Sequence, residues 1–292
     1  LDERTDVDMK KVRKNLARKI LCGLLAAGVV GVSGSVLAAD PIIIMSDSDL
    51  TVSDALVKAN YVFAGTEGKN TITFDGGGTV SLDSSEKLMG SLPAFMASDN
   101  GVINFGTKDK QLDKLIVKAS EDVNFIGWID SLGSEGNPGG GEININAKSY
   151  EQYGSGHGIY VKGEDTANGT RLNINVDEFK SETKYKAIHV REGSNAVATV
   201  NAKKFTAIST VEDTGVAVLQ ANEGGKITVN AETVDLKGSH MLGGGVIGSG
   251  SYGTVEINAD NVKIDGNING AYGGKIETDK TAEFIINTKT LD

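Results

Sequence analysis

The sequence predicts an all-β fold, a right-handed parallel β-helix in coils of about 26–29 residues with a short N-terminal helical cap. Three observations predict it. First, 38 of 292 residues are glycine and only three are proline, while aromatics make up 5 %. With Asn, Thr, Val and Ile filling the second half, this is the composition of short strands and tight turns. Second, one phrase recurs: GEININAKSY (141–150), RLNINVDEF (171–179), VATVNAKKF (197–205), KITVNAETV (226–234), TVEINADNV (254–262) and EFIINTKTL (283–291). Third, a shorter strand-like phrase accompanies it: GIYV (158–161), AIHV (187–190), VAVL (216–219) and GVIG (245–248), at a constant offset of 29.

The asparagine of the long phrase serves as a ruler: Asn146, Asn175, Asn201, Asn230, Asn258 and Asn287 are spaced 29, 26, 29, 28 and 29 apart. One and three residues before each stands an apolar side chain, such as Ile145 and Ile143 or Val229 and Ile227. Four residues after each comes a larger one: Tyr150, Phe179, Phe205, Val234, Val262 and Leu291. Alternation at period two implies one buried and one solvated face. A propeller blade needs about 40 residues or more, and a leucine-rich repeat needs a Leu ladder, so the period fits one coil of a parallel β-helix. One coil cannot bury its inward residues alone, and stacking at about 4.8 Å supplies both the core and the backbone partners. Stacked asparagines are then expected to share amide hydrogen bonds along a column. By alternation that ladder faces outward unless the chain turns there.

Less regular coils precede these. LDKLIVKAS (112–120) aligns with Lys118 in the asparagine slot, 28 before Asn146. GVINFG (101–106) and NTITFDGGGTVSL (70–82) read as earlier strands. SDLTVSDALVKANYVF (48–63) reads as a short amphipathic helix, with Ser53 as N-cap and Leu56, Val57 and Tyr61 on one side. Residues 40–70 are therefore expected to cap the open coil end, and 71–292 to form the β-helix. The chain stops in mid-phrase, so the β-helix is expected to continue beyond residue 292.

From Met9 the chain runs MKKVRKNLARK, then ILCGLLAAGVVGVSGSVLA, then AD. A basic start, a small-residue apolar stretch and a Val36-Leu37-Ala38 exit make residues 9–39 an export signal, cleaved after Ala38 or Ala39. An uncleaved anchor is the alternative. Residues 1–8, LDERTDVD, read as upstream translation. Residues 1–39 hold seven Lys+Arg and four Asp+Glu, which leaves 22 basic against 35 acidic residues, a formal charge of −13. That surface disfavours nucleic acid and anionic lipid. The single cysteine, Cys22, lies inside the signal, so the exported part has neither disulfide nor thiolate.

Signal, cap, Gly/Asn/Val-rich coils of 26–29 residues, no mature cysteine and an acidic surface resemble the passenger of a bacterial autotransporter or a related β-helical surface adhesin. Its fold would be pectin-lyase-like. The extended basic start MKKVRKNLARK is similar to signals of that group. The resemblance covers nearly the whole chain, but it is architectural and rests on no short motif. It implies a secreted or cell-surface protein at the outer membrane of a Gram-negative-type bacterium, with host surface proteins or glycans as partners. In that family a C-terminal transmembrane β-barrel anchors the passenger. Residues 254–292 continue the coil pattern and lack a barrel's aromatic-girdled alternation.

Catalytic signals are few. Gly156-His157-Gly158, in GSGHGIYVKG (154–163), resembles the Gly-His-Gly element of polygalacturonases, whose clustered carboxylates act as general acid and base. Their other elements are not found in matching coils. His157 is thus the residue a β-helical carbohydrate-active enzyme would use, and the weightier expectation is an exposed strand or turn residue. His189 and His240 have no better claim. Acids such as Glu164-Asp165, Asp177-Glu178, Glu212-Asp213, Asp260 and Asp265 read as a solvated face before a calcium site. DGGGTV (75–80) and LGGGVIGSGSYGT (242–254) read as turns, because no helix with Lys-Ser/Thr follows. Tyr153, Tyr160, Tyr252 and Tyr272 are expected at the surface. No cofactor or metal is implied. The sequence therefore reads as a non-catalytic surface rod, with a pectinase-like hydrolase or lyase as the alternative.

Overall fold

In the chain's computed structural model, the residues described are 42–65, 69–85, 92–119, 125–130, 140–163, 169–193, 195–211, 217–238, 247–250, 253–266, 268–269 and 283–292. The export signal and upstream residues proposed for 1–39 lie outside them, as does His240. Residues 41–292 form one compact unit.

Three windings open the fold. They are β1 (Ile43–Ile44), β2 (Leu50–Val52) and β3 (Leu56–Ala59); then β4 (Tyr61–Ala64), β5 (Thr71–Phe74) and β6 (Thr79–Ser84); then β7 (Phe95–Ala97), β8 (Val102–Phe105) and β9 (Leu112–Ala119). Six windings of two strands follow. These are β10 (Phe125–Asp130) with β11 (Glu142–Gly154), β12 (His157–Lys162) with β13 (Arg171–Thr183), and β14 (Ile188–Arg191) with β15 (Val197–Ser209). The last are β16 (Leu219–Asn222) with β17 (Lys226–Lys237), β18 (Ile247–Gly250) with β19 (Thr254–Asp265), and β20 (Ile268–Asn269) with β21 (Glu283–Leu291). No described residue is helical.

All pairings are parallel and link one winding to the next. The short sheet runs β1-β4-β7-β10-β12-β14-β16-β18-β20, and the long sheet β2-β5-β8-β11-β13-β15-β17-β19-β21. This is a parallel β-solenoid, in which each strand's backbone groups find partners in the windings above and below. Strand β11 joins what earlier windings keep apart. Its first half pairs β8 (Ile143↔Ile103) and its second half pairs β9 (Tyr150↔Leu115). From there on, the long strand bends at one position per winding, where the pairing skips Lys148, Asp177, Lys203, Glu232, Asp260 and Lys289.

The interior is a set of like-on-like columns. Ile143, Leu172, Ala198, Ile227 and Val255 stack before the asparagine, and Tyr150, Phe179, Phe205, Val234 and Val262 stack after it, all buried. Phe179 and Phe205 lie parallel, with ring centroids 4.6 Å apart, and Tyr150 meets Phe179 edge-on at 5.4 Å. One polar cluster is embedded here. Tyr150 donates its hydroxyl to Gln152 Oε1 at 2.7 Å, and Gln152 Nε2 donates to Ser181 Oγ at 2.8 Å and to the Ala187 carbonyl at 3.0 Å. These buried groups are thereby satisfied.

The expected helical cap over 48–63 is not formed. The same residues make β2, β3 and β4, in windings continuous with the rest. Burial in β3 alternates, with Leu56 exposed and Val57 and Ala59 buried. Ser53, read as an N-cap, instead donates its hydroxyl to Asp75 Oδ1 in the next winding at 2.6 Å. Strand β6 already offers an in-register partner (Val57↔Val80), so pairing across windings outweighs the weak local helical pattern. The alignment of 112–120 also changes. Lys118 pairs with Tyr153, and the asparagine slot of that winding belongs to Gly106. Gly106 turns with φ +76°, and a Cβ there would lie 2.1 Å from the Asn146 carbonyl oxygen, so only glycine fits.

Candidate functional site: an asparagine-lined cleft

The six asparagines stand in one file on the outward face of the long sheet. Nδ2 of each donates to Oδ1 of the one before: Asn175 to Asn146 at 3.2 Å, Asn201 to Asn175 at 2.8 Å and Asn230 to Asn201 at 2.9 Å. Asn258 to Asn230 (3.0 Å) and Asn287 to Asn258 (2.6 Å) complete the file. At its lower end Asn146, the most buried of the six, donates from Nδ2 to the Gly106 carbonyl at 3.3 Å. Every amide points the same way along the axis.

A second file, missed in the sequence, runs two residues earlier on the same face. Asn173 donates to Asn144 Oδ1 at 2.8 Å, Asn144 to Asn104 Oδ1 at 3.0 Å, and Asn104 to Thr73 Oγ1 at 3.1 Å. Threonines 199 and 228 continue the column. The signal was present in NIN at 144–146 and 173–175, but only the register with Asn104, 40 residues before Asn144, makes it a file.

The two files floor a cleft of about 600 Å3, lined by Asn104, Asn144, Asn146, Asn173, Asn175 and Asn201 together with Glu142 and the turn Gly106–Thr107–Lys108. That turn interrupts the strand between β8 and β9 and stands at the cleft's lower end. Asn144 also donates to Glu142 Oε1 at 2.8 Å.

The bend beside the ladder carries a column of charges: Asp113, Lys148, Asp177, Lys203, Glu232, Asp260 and Lys289. Lys148 meets Asp113 at 2.6 Å, Lys203 meets Asp177 at 2.8 Å, and Lys289 meets Asp260 at 2.7 Å. The hydrogen bond to its aspartate, then that carboxylate's charge, raises the pKa of Lys148 and of Lys203. Asp177 and Asp260, read as members of a solvated acidic face, are thus paired with lysines, as are Glu178 with Lys204 and Asp265 with Lys237. Glu164, Asp165, Glu212 and Asp213 lie outside the described residues. Among the described residues no three His, Cys, Asp or Glu side chains are grouped to hold a metal.

His157 opens β12 and is partly buried, not exposed. Its ring lies 4.8 Å from that of Tyr185, and the Lys186 backbone N–H reaches its Nδ1 at 3.5 Å. Burial, helped by the nearby Lys186 charge, lowers its pKa to about 3. Gly158 is structural, since a Cβ there would lie 2.1 Å from the Ala187 carbonyl oxygen. His189 sits one winding on, its Nδ1 3.4 Å from Lys186 Nζ and its ring 4.9 Å from that of Tyr160. Burial first, then the charges of Lys186 and His157, hold its pKa well below the usual value. Burial brings the Lys186 amine down to about 8. Tyr160, expected at the surface, is buried and packs edge-on to Trp128 at 4.7 Å. Tyr153 is half-buried, with Lys180 Nζ 5.3 Å above its ring; Tyr252 and Tyr272 lie outside the described residues.

Comparison with family models, with curated proteins and with solved structures returns no match.

Proposed function

We propose that this protein is an exported, non-catalytic cell-surface rod, an autotransporter passenger or adhesin-like protein that meets host molecules, other cells or glycans with its long sheet. The reading rests on the in-register outward file from Asn146 to Asn287, which makes one face a continuous, rigid, hydrogen-bonding surface. Two features of the sequence support it: the export signal at 9–39 and a cysteine-free remainder stabilised by stacking alone. The test is expression from Met9 in a Gram-negative host, followed by fractionation and N-terminal sequencing. A processed product outside the cytoplasm, beginning at Ala39 or Asp40, is expected. A cytoplasmic product with residues 9–39 intact would sink the reading.

One observation keeps the enzymatic alternative in play, the close grouping of His157, Lys186 and His189 with lowered proton affinities. Release of reducing ends or unsaturated uronides from pectin by the purified chain, lost in His157→Ala, would replace the surface-rod reading by that one.

A further inference from the structure

We infer that the asparagine cleft binds a neutral, hydroxyl-rich glycan chain lying along the ladder. This rests on the surface-rod reading and gives that surface a ligand class. An asparagine amide has two N–H donors and an oxygen with two lone pairs. In the files, Asn175 and Asn201 each give one N–H to the winding below and accept one from the winding above. Each keeps a second N–H and a second lone pair outside the ladder. The same holds for Asn146, whose ladder donor goes to the Gly106 carbonyl. Asn144 gives both N–H groups to Asn104 and Glu142 and offers only its oxygen, whereas the other asparagines make the floor a grid of donors and acceptors, about 4.8 Å apart along the axis and roughly 7 Å apart across the strand.

A hydroxyl both donates and accepts, so a polyol satisfies such a grid wherever it lies. A charged polymer does not, because among the described lining residues six side chains are neutral amides and the charged ones are a single lysine and a single glutamate, Lys108 and Glu142. The formal charge of −10 for the whole chain further disfavours polyanions. The ladder also fixes every amide before a ligand arrives, so little side-chain entropy is lost on binding. Because all the amides point one way, a glycan chain is held in one direction, with one end against the Thr107–Lys108 turn. Among the described residues no aromatic ring lines the cleft, so affinity for a short oligosaccharide falls in the millimolar range and grows with chain length.

The test titrates the purified full chain with cellohexaose, chitohexaose and maltohexaose, and with hexagalacturonate as the acidic comparison, followed by ligand-detected NMR. At least one neutral hexasaccharide is expected to bind, more tightly than the acidic one. Asn144→Thr with Asn173→Thr places in the column the residue type it already carries at 199 and 228. It should weaken binding at least about tenfold with the melting temperature nearly unchanged. Should the double variant fold poorly, Asn173→Thr alone, at the end of its file, is expected to weaken binding about threefold. Lys237→Gln, on the same strand as Thr228 but beyond the bend and outside the cleft, should leave binding as it is. Binding of no neutral hexasaccharide, preference for hexagalacturonate, or affinity unchanged in the asparagine variants overturns the inference. Correct export without glycan binding removes this inference alone, whereas failed export removes the surface-rod reading.

Discussion

For a single residue, position in a column decides what its side chain is worth. Phe179 is fully buried between Tyr150 and Phe205. Phe179→Ala removes that packing and leaves a cavity, and is expected to cost about 3–5 kcal/mol, read by chemical denaturation. Asn201, exposed, makes two ladder bonds whose partners can turn to water when it is lost. Asn201→Ala is expected to cost only about 1 kcal/mol by the same measurement. His157 bears on pH. Its folded pKa of about 3 lies below the ordinary 6.5, so the unfolded chain binds the proton more tightly. Its contribution is fully present above pH 6.5 and is lost as pH falls from there toward 3, by at most about 1.4 kcal/mol per unit. His157→Gln should therefore flatten the acid side of the stability–pH profile. In the native chain, NMR should find this imidazole neutral at pH 5, and a titration midpoint near 6.5 would contradict the burial. Lys186 follows the same sign. With a folded pKa of about 8 against 10.5, its ammonium is a burden below pH 8 that lifts as pH rises to 10.5. Lys186→Met should raise the melting temperature at pH 7.

Among the elements, the bend of the long strands is where charge matters. The column Asp113–Lys148–Asp177–Lys203–Glu232–Asp260–Lys289 alternates in sign except at Glu232–Asp260. Exposed pairs of this kind add little individually, but in a file they tell each winding which neighbour it faces. Lys203→Glu would put a new carboxylate between Asp177 and Glu232, leaving an unbroken acidic run from Asp177 to Asp260. It should lower the melting temperature at low ionic strength, and most of that loss should vanish near 1 M salt, where the Debye length is about 3 Å. A salt-independent loss would mean that packing, and not charge, governs the bend. The regular coils were legible from Asn146 onward because period-two alternation and the 26–29-residue spacing agree there. Residues 48–63 read as a helix because four-residue strands leave too little alternation to outvote a helical stripe, and the deciding partner, β6, lies more than twenty residues away. The phrase at 216–219 shows the same limit. Its constant offset of 29 predicts Ala217 opposite Ile188, yet Leu219 takes that place, a slip of two residues that keeps the same side chains inward.

Taken as one body, windings that touch only their neighbours make stability a sum of nearest-neighbour terms. Native-state hydrogen exchange is expected to be slowest in β13, β15 and β17, which are paired on both sides through 11 or 12 residue partners. It should be fastest in β1 and β21, where burial is only partial. Uniform protection along the chain would instead indicate a single cooperative unit. The residue pattern was enough to specify the parallel β-helix, its period, and which residues of the regular coils face in, because repetition makes each winding's neighbour a copy of itself. Four things had to wait for the folded chain: that residues 43–64 are windings, that Gly106 holds the slot assigned to Lys118, that a second asparagine file reaches back 40 residues, and that His157 is partly buried. Each depends on how long a loop must be before the chain comes back into register, and loop length leaves no periodic trace in the sequence.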